Sequence, residues 1–406
     1  MNLVKLGDLF NISSGSTPSR EKNSYYEGGT IPWVKTGDLH HKYIEKTSEC
    51  ITDEGLMNSS TKLYPVGTIL VAMYGATIGA CSILKINACT NQACAAFLPN
   101  KKIDQDYLYY FFLYKKPAFI RAGVGGAQPN ISAAYLKEVE ISCPPLEIQK
   151  QIAAILEKAD NLRKQCQQVE RELNALEESI FLEMFGDPVT NPKGWKKCFY
   201  KDICRRINVG VVVQPSKYYV EYGVPALRSQ NIKPNRIIKK NFVYFSDKDN
   251  IETHAKSRIF KNDVIIVRTG QPGTAAVVPD ELDGVNAIDI LITTPKLDIV
   301  NPYYLSAFLN SDGGKKIVST TERGQIQKHL NVKSLSEAEI PIPPLGLQDE
   351  FLVRLKKLND ILSCNTNSMV FYENFFNSLL DRAFAGKLDI SAFRTLVKDE
   401  VHYHHV

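Results

Sequence analysis

Shifted by 199 positions, the chain matches itself. Ile141-Ser142-Cys143-Pro144-Pro145-Leu146-Glu147-Ile148-Gln149 falls on Ile340-Pro341-Ile342-Pro343-Pro344-Leu345-Gly346-Leu347-Gln348, and the same offset carries Gln128 to Gln327, Ile131 to Leu330, Ser179 to Ser378 and Phe185 to Phe384. Upstream the match loosens. Ile31-Pro32-Trp33-Val34 faces Val224-Pro225-Ala226-Leu227 at an offset of 193, and Tyr107-Leu108 faces Tyr304-Leu305 at 197. A duplication constrains the fold more than any single motif, because each copy must take the same architecture. The chain is a tandem of two halves, similar at their C-terminal ends and divergent at their fronts.

The similar part predicts a long helix. Pro144 and Pro145 suit its start, since proline fixes a helical φ and the first turn needs no N–H donor. Behind them Ile152, Ile155, Ala159, Leu162, Cys166, Val169, Leu173, Leu176 and Ile180 alternate at spacings of three and four, the pattern of a coiled-coil seam. Gly186-Asp187-Pro188 stops the helix. About forty residues at ~1.5 Å each predict a rod of roughly 60 Å. In the second copy Phe351, Leu355, Leu358, Ile361, Leu362, Tyr372, Phe375, Phe376 and Leu379 keep the stripe, with Asn365-Thr366-Asn367 placing polar residues mid-way. Each rod needs a partner for its stripe, and the simplest is the other rod; the alternative is that each packs only on its own globular half.

The fronts read differently. Thr68-Ile69-Leu70-Val71-Ala72-Met73 and Asp263-Val264-Ile265-Ile266-Val267 are strand-like runs among Gly, Pro, Asn and Ser turns, with helical stretches near 104–120 and 301–318. Each front is therefore expected to be a strand-rich α/β domain carrying long polar loops, where recognition usually resides. At 406 residues, with 44% hydrophobic and 23% charged residues, the chain is long enough for at least two cores and is not disordered or fibrous. No apolar run reaches the ~20 residues of a membrane span, and the N-terminus lacks a secretory pattern; a cytoplasmic location is expected. Between Lys193 and Arg268 seventeen Lys and Arg stand against six Asp and Glu, whereas residues 1–100 carry eight of each. The basic stretch suits a polyanion-binding surface or a solubilising face.

Catalytic signatures are missing. Asp312-Gly313-Gly314-Lys315-Lys316 lacks the first glycine and the hydroxyl of a phosphate-binding loop. Asn301-Pro302-Tyr303-Tyr304 resembles the N-P-P-Y element of adenine methyltransferases but lacks the second proline, and its counterpart Asp104-Gln105-Asp106-Tyr107 reads as a helix start. Pro279-Asp280 followed by Asp289 has no downstream E-x-K for a nuclease metal. Nine cysteines show no C-x-x-C pair and seven histidines no H-E-x-x-H, so no metal or catalytic residue is expected.

Two copies of a variable α/β front, each followed by I-x-x-P-P-L-x-x-Q and a coiled helix, closely resemble the specificity subunit of type I restriction–modification enzymes. Gly126-Ala127-Gln128-Pro129-Asn130-Ile131, Gly324-Gln325-Ile326-Gln327-Lys328-His329-Leu330, Leu6-Gly7-Asp8-Leu9-Phe10 and Pro32-Trp33-Val34-Lys35-Thr36-Gly37-Asp38-Leu39 also look like that family. The resemblance implies an α/β fold with a pseudo-twofold internal repeat: target recognition domains at 1–143 and 187–342, long antiparallel coiled-coil helices at 144–186 and 343–386, and a tail at 387–406. It implies a non-catalytic subunit in which each recognition domain reads half of a bipartite double-stranded DNA target, the half-sites about one turn or ~34 Å apart. The helices would dock two modification subunits, joined by two restriction subunits. No cofactor is implied for this chain; S-adenosylmethionine, ATP and Mg2+ would serve the partners. A self-contained methyltransferase or nuclease, and a coiled-coil scaffold without DNA binding, are the alternatives.

Base edges are read by amide and guanidinium groups, and phosphates by Lys, Arg, Ser and backbone donors. On that chemistry the candidate DNA contacts in the first half are Ser14, Ser16, Thr17, Lys35, Thr36, His40, Tyr74, Thr77, Asn91, Gln92 and Gln128. In the second they are Arg228, Ser229, Gln230, Asn231, Arg268, Thr269, Gln271, Arg323, Gln325, Gln327 and Lys328. The balanced charge of residues 1–100 predicts a weaker phosphate grip in the first half.

Overall fold

Short β-branched and small-residue runs build the same sheet twice. The computed structural model describes residues 3–123, 130–319 and 329–393. In the first front Ser13–Ser14, Cys94–Phe97, Ile69–Ala72 and Cys81–Leu84 pair in that order, with Tyr43–Ile44 added at the edge. In the second, Cys204–Val209, Ile290–Pro295, Val264–Val267 and Ala275–Val277 follow one another in the matching order. The central strands Ile69–Ala72 and Val264–Val267 are buried at every residue, which is why they read as unbroken apolar runs. A second sheet sets Ile31–Val34 between Cys50–Ile51 and Cys89–Thr90, and Val224–Leu227 between Val243–Phe245 and Asn286–Ala287. One pairing in each is parallel, Trp33 opposite Cys89 and Ala226 opposite Asn286. Fronts that diverge in sequence therefore share one topology.

The long helices span Leu146–Phe185 and Leu345–Phe384, 40 residues each. Gly186 (φ 78°) and Gly386 (φ 69°) follow them in the left-handed region, a conformation that ends a helix cheaply only at glycine. The chain forms two compact units. One combines residues up to Gln167 with those from Asn367 onward; the other is Gln168–Thr366. In the first unit Ile152, Ala153, Ile155, Leu156 and Ala159 share a core with Phe376, Leu379, Leu380, Ala383 and Phe384 and with Tyr107, Tyr110 and Phe111 of the front's helix Gln105–Gly123. In the second, Phe181, Met184 and Phe185 pack with Phe351, Leu355 and Tyr304. Each unit thus contains a front, the start of its own long helix and the end of the other, so the helices run antiparallel.

This arrangement corrects the seam read from the sequence. Ala153 and Leu156, off the three-four alternation, are 4% and 0% exposed, whereas Val169 and Leu176, on it, are 39% and 46% exposed. Near its ends each helix is gripped from two sides, by the other helix and by a front, and the buried stripe widens accordingly. Ile361 on the second helix is likewise more than half exposed.

The duplicated P-P-L-x-x-Q has a packing explanation. Gln149 is buried; its Oε1 accepts from the Asp104 N–H (2.9 Å), and its Nε2 donates to the carbonyls of Lys102 (2.9 Å) and Pro144 (2.8 Å). Gln348 makes the same three bonds, from the Asn301 N–H (2.7 Å) and to the carbonyls of Ile299 (3.3 Å) and Pro343 (2.7 Å). One amide therefore satisfies backbone groups that the chain buries where a front's helix meets a long helix. Tyr107 and Tyr304 complete the joint by donating to the carbonyls of Ser142 (3.0 Å) and Pro341 (2.6 Å). Asn301 caps the helix Pro302–Asn310 through the Tyr303 N–H, which is its structural employment.

Candidate nucleic-acid interface

In the first unit three loops converge where the small sheet ends. Ser16 N–H donates to the Thr90 carbonyl (2.9 Å), the buried Trp33 indole donates to the Ser16 carbonyl (3.1 Å), and Asn91 N–H donates to the Val34 carbonyl (3.0 Å). These bonds bring Ser16, Thr17, Lys35, Thr36, Asn91 and Gln92 together; Thr17 Oγ1 donates to Gln92 Oε1 at 2.6 Å. Tyr74 and Thr77 lie on an adjoining loop, tied in by the Met73 N–H to the Ala93 carbonyl. Ser14 is exposed on the strand leading into the cluster. His40 is placed elsewhere, in a groove against the first long helix lined also by Lys46, Lys116, Glu157 and Lys164.

The second unit repeats this construction. Lys35-Thr36-Gly37-Asp38 and Arg228-Ser229-Gln230-Asn231 lie at the 193 offset, and each forms a short 3-10 turn. Asp38 Oδ2 accepts from the Lys35 N–H (2.8 Å), and Asn231 Oδ1 from the Arg228 N–H (2.9 Å). Asn231 is 1% exposed, and its Nδ2 donates to the carbonyls of Ile238 and Lys240. Its amide is spent on the loop backbone, so it positions Arg228, Ser229 and Gln230. Asp38, which residue chemistry alone did not single out, does the same for Lys35 and Thr36; the offset was the signal that could have found it.

Arg228 donates from Nη2 to the Asn241 carbonyl (2.8 Å), while its buried Nε finds no partner among the described residues. Arg268 reaches Asp289 (2.7 Å) and His329 Nε2 (2.7 Å). Thr269 bridges to His329 as Tyr74 bridges to Asn130; Thr269 and Gln271 are exposed. Gln128, Arg323, Gln325, Gln327 and Lys328 lie outside the described residues.

The basic stretch is partly consumed internally. Arg206 pairs with Asp263, Arg236 with Glu177, Lys239 with Glu281, and Lys261 with Asp280. Arg236 belongs to a hairpin docked on the first long helix: Asn235, at φ 57°, donates to Glu177 Oε1 (2.7 Å) and accepts from Ser306 and Asn310. Burial raises the Glu177 carboxyl above its ordinary range, against the pull of Arg236 and Asn235. Lys217, Lys233, Lys240, Lys248 and Lys256 are exposed and make no ion pair among the described residues, which leaves them for a polyanion. In the loop cluster of the first unit an acid holds two cations. Glu49 binds both Arg20 and Lys35, and its carboxyl is held down to about 2, chiefly by the Arg20 hydrogen bond against opposing burial, with Lys35 adding. Arg20 and Glu49 were missed from the sequence because their pairing spans loops 29 residues apart.

No described helix is long and apolar enough to cross a membrane. Among the described residues no cluster of three or more His, Cys, Asp or Glu could hold a metal ion.

Known proteins share this organisation. The MjaIX specificity subunit of Methanocaldococcus jannaschii, a type I restriction enzyme subunit, is 26% identical over 96% of this chain and 94% of its own length. The EcoR124I/EcoR124II specificity subunit of Escherichia coli is 29% identical over 39% of this chain and 40% of its own. The crystal structure of the type I restriction–modification S subunit from M. genitalium superposes with a TM-score of 0.52 at 16% identity, covering 94% of this chain and 96% of that one. The family described as Type I restriction modification DNA specificity domain matches residues 1–175 and 192–368, one stretch in each half. Matched across both of its repeats, the chain belongs to that family.

Proposed function

We propose that the chain is the non-catalytic specificity subunit of a type I restriction–modification complex, in which each loop cluster reads one half of a bipartite DNA target. The observation that carries this is the pair of capped turns. Lys35–Asp38 and Arg228–Asn231 share backbone, position and cap, yet present Lys-Thr-Gly in one case and Arg-Ser-Gln in the other. A constant scaffold with exchanged donors is what two readers of different sequences require, because base edges are distinguished by the geometry of donors and acceptors while phosphates only position the protein. Arg228 and Gln230 have the planar donor groups that suit purine edges; Lys35 and the exposed lysines of the second front suit phosphates. In this reading the long helices dock two modification subunits, with two restriction subunits completing the assembly. S-adenosylmethionine, ATP and Mg2+ belong to those partners.

The test exchanges residues 1–143 for the front of another family member and sequences the host methylome. One half of the methylated motif should change while the other persists. Change in both halves, or in neither, would refute the modular assignment.

A further inference from the structure

The two fronts differ electrostatically at one equivalent position. Pro32 pairs with Cys50, which sets Trp33 opposite Glu49, and the Trp33 N–H donates to the Glu49 carbonyl (3.0 Å). In the second front Pro225 pairs with Tyr244 and Ala226 with Val243. At the 193 offset Ala226 corresponds to Trp33, so Val243 occupies the place of Glu49. At the register position of the carboxylate that holds Lys35, the second front therefore carries the aliphatic Val243.

The carboxylate is well placed to matter. Glu49 Oε2 receives Arg20 Nη2 (3.0 Å) and Lys35 Nζ (3.0 Å), and Arg20 Nη1 bonds Oε1. The Arg20 guanidinium also lies over the rings of Tyr26 (4.2 Å) and Trp33 (5.0 Å), whose indole holds the Ser16 carbonyl. Two cations in the middle of the loop cluster are thus held by one shared anion, yet both remain accessible, with side chains 49% and 37% exposed.

We propose that Glu49 is a specificity-determining latch in the first front, keeping Arg20 and Lys35 off non-target phosphates until a matched duplex displaces the carboxylate. The proposal rests on the DNA-reading assignment above. An anion that occupies both cations blocks counterion release at random sequence, where phosphate attraction is nearly the whole of the binding energy. It leaves base contacts from Thr17, Asn91 and Gln92 to decide whether the front engages. The second front, without the acid, supplies the sequence-independent hold.

The experiment measures binding of the full chain to a random-sequence duplex by fluorescence anisotropy between about 50 and about 200 mM salt. The E49Q chain should show a log affinity against log salt slope steeper than wild type by about 1 to 2, one increment of roughly 0.9 for each released cation. R20Q alone should leave the wild-type slope unchanged, because that cation is already spent. R20Q added to E49Q should take back about 1. An E49Q slope equal to wild type would overturn the latch. So would R20Q alone flattening the slope by about 1, which stands even where E49Q fails to fold. A wild-type chain without salt-dependent affinity would sink the DNA reading itself, separating that failure from failure of the latch.

Discussion

Gln149 and Gln348 each hold three backbone groups, and the physical cost of losing them is calculable. An alanine at either place strands an N–H and two carbonyls in a buried joint, at about 1–3 kcal/mol for each group left unsatisfied, partly relieved by water. Gln149→Ala should therefore destabilise the first unit by on the order of 3 kcal/mol, and Gln348→Ala the second. The two tryptophans provide separate reporters, since Trp33 lies in the first unit and Trp195 in the second. Urea unfolding followed by Trp33 in a W195F chain should shift for Q149A and not for Q348A. Glu49 carries a pH prediction with a definite sign. Its folded carboxyl sits at about 2, below its ordinary 4.5, so ionised Glu49 favours the folded state above 4.5 and that contribution fades as pH falls from 4.5 toward 2. The difference in Trp33-detected midpoint between wild type and E49Q should be largest near neutrality and shrink at about pH 3. An unchanged gap would show that the ion pairs do not couple to folding.

At the scale of elements, the aromatic residue ending each long helix belongs to the half it did not come from. Phe384 packs on Tyr107, Phe111 and Tyr114 of the first front, and Phe185 on Tyr304 and Phe351 of the second unit. Phe384→Ala should cost the first unit about 3–5 kcal/mol, the usual range for a buried phenylalanine, and Phe185→Ala should do the same to the second. Trp33 and Trp195 emission would assign each loss to its unit, and the reverse assignment would break the antiparallel scheme. The helices themselves were legible because a three-four stripe and flanking Pro and Gly are local signals. The off-seam burial of Ala153 and Leu156 was not, since no periodicity reveals a second packing partner. The strand runs at 69–72 and 264–267 were readable as continuous apolar segments. The loop cluster was readable only in part: polar composition pointed to Thr17, Lys35 and Gln92, but the committed amide of Asn231 and the Arg20–Glu49–Lys35 triad depend on tertiary pairing. Seventeen basic residues counted along the chain likewise included several that face buried or exposed acids.

For the whole molecule, duplication is legible as an offset, but its consequence for stability lies in how the units are composed. The first unit is discontinuous in sequence: its front and first helix segment precede Gln167, and its remaining core arrives only after Asn367. Phe376, Leu379, Leu380 and Phe384 are 2%, 4%, 5% and 9% exposed in that core. Each such side chain is worth about 1.5–3 kcal/mol when buried, so the four together supply on the order of 10 kcal/mol. A domain's whole stability is only about 5–15 kcal/mol. A chain ended after Thr366 retains every residue of the first front yet should fail to fold it, while the second unit, whose residues are all present, should persist. In the truncated chain Trp33 emission should shift to that of a solvent-exposed indole and backbone amides of residues 69–72 should lose protection from hydrogen exchange. Trp195 and residues 264–267 should keep native behaviour. Native Trp33 emission with cooperative unfolding in that chain would mean the front folds without the returning helix, and the two-sided packing seen here would then be an accessory to stability and not its basis.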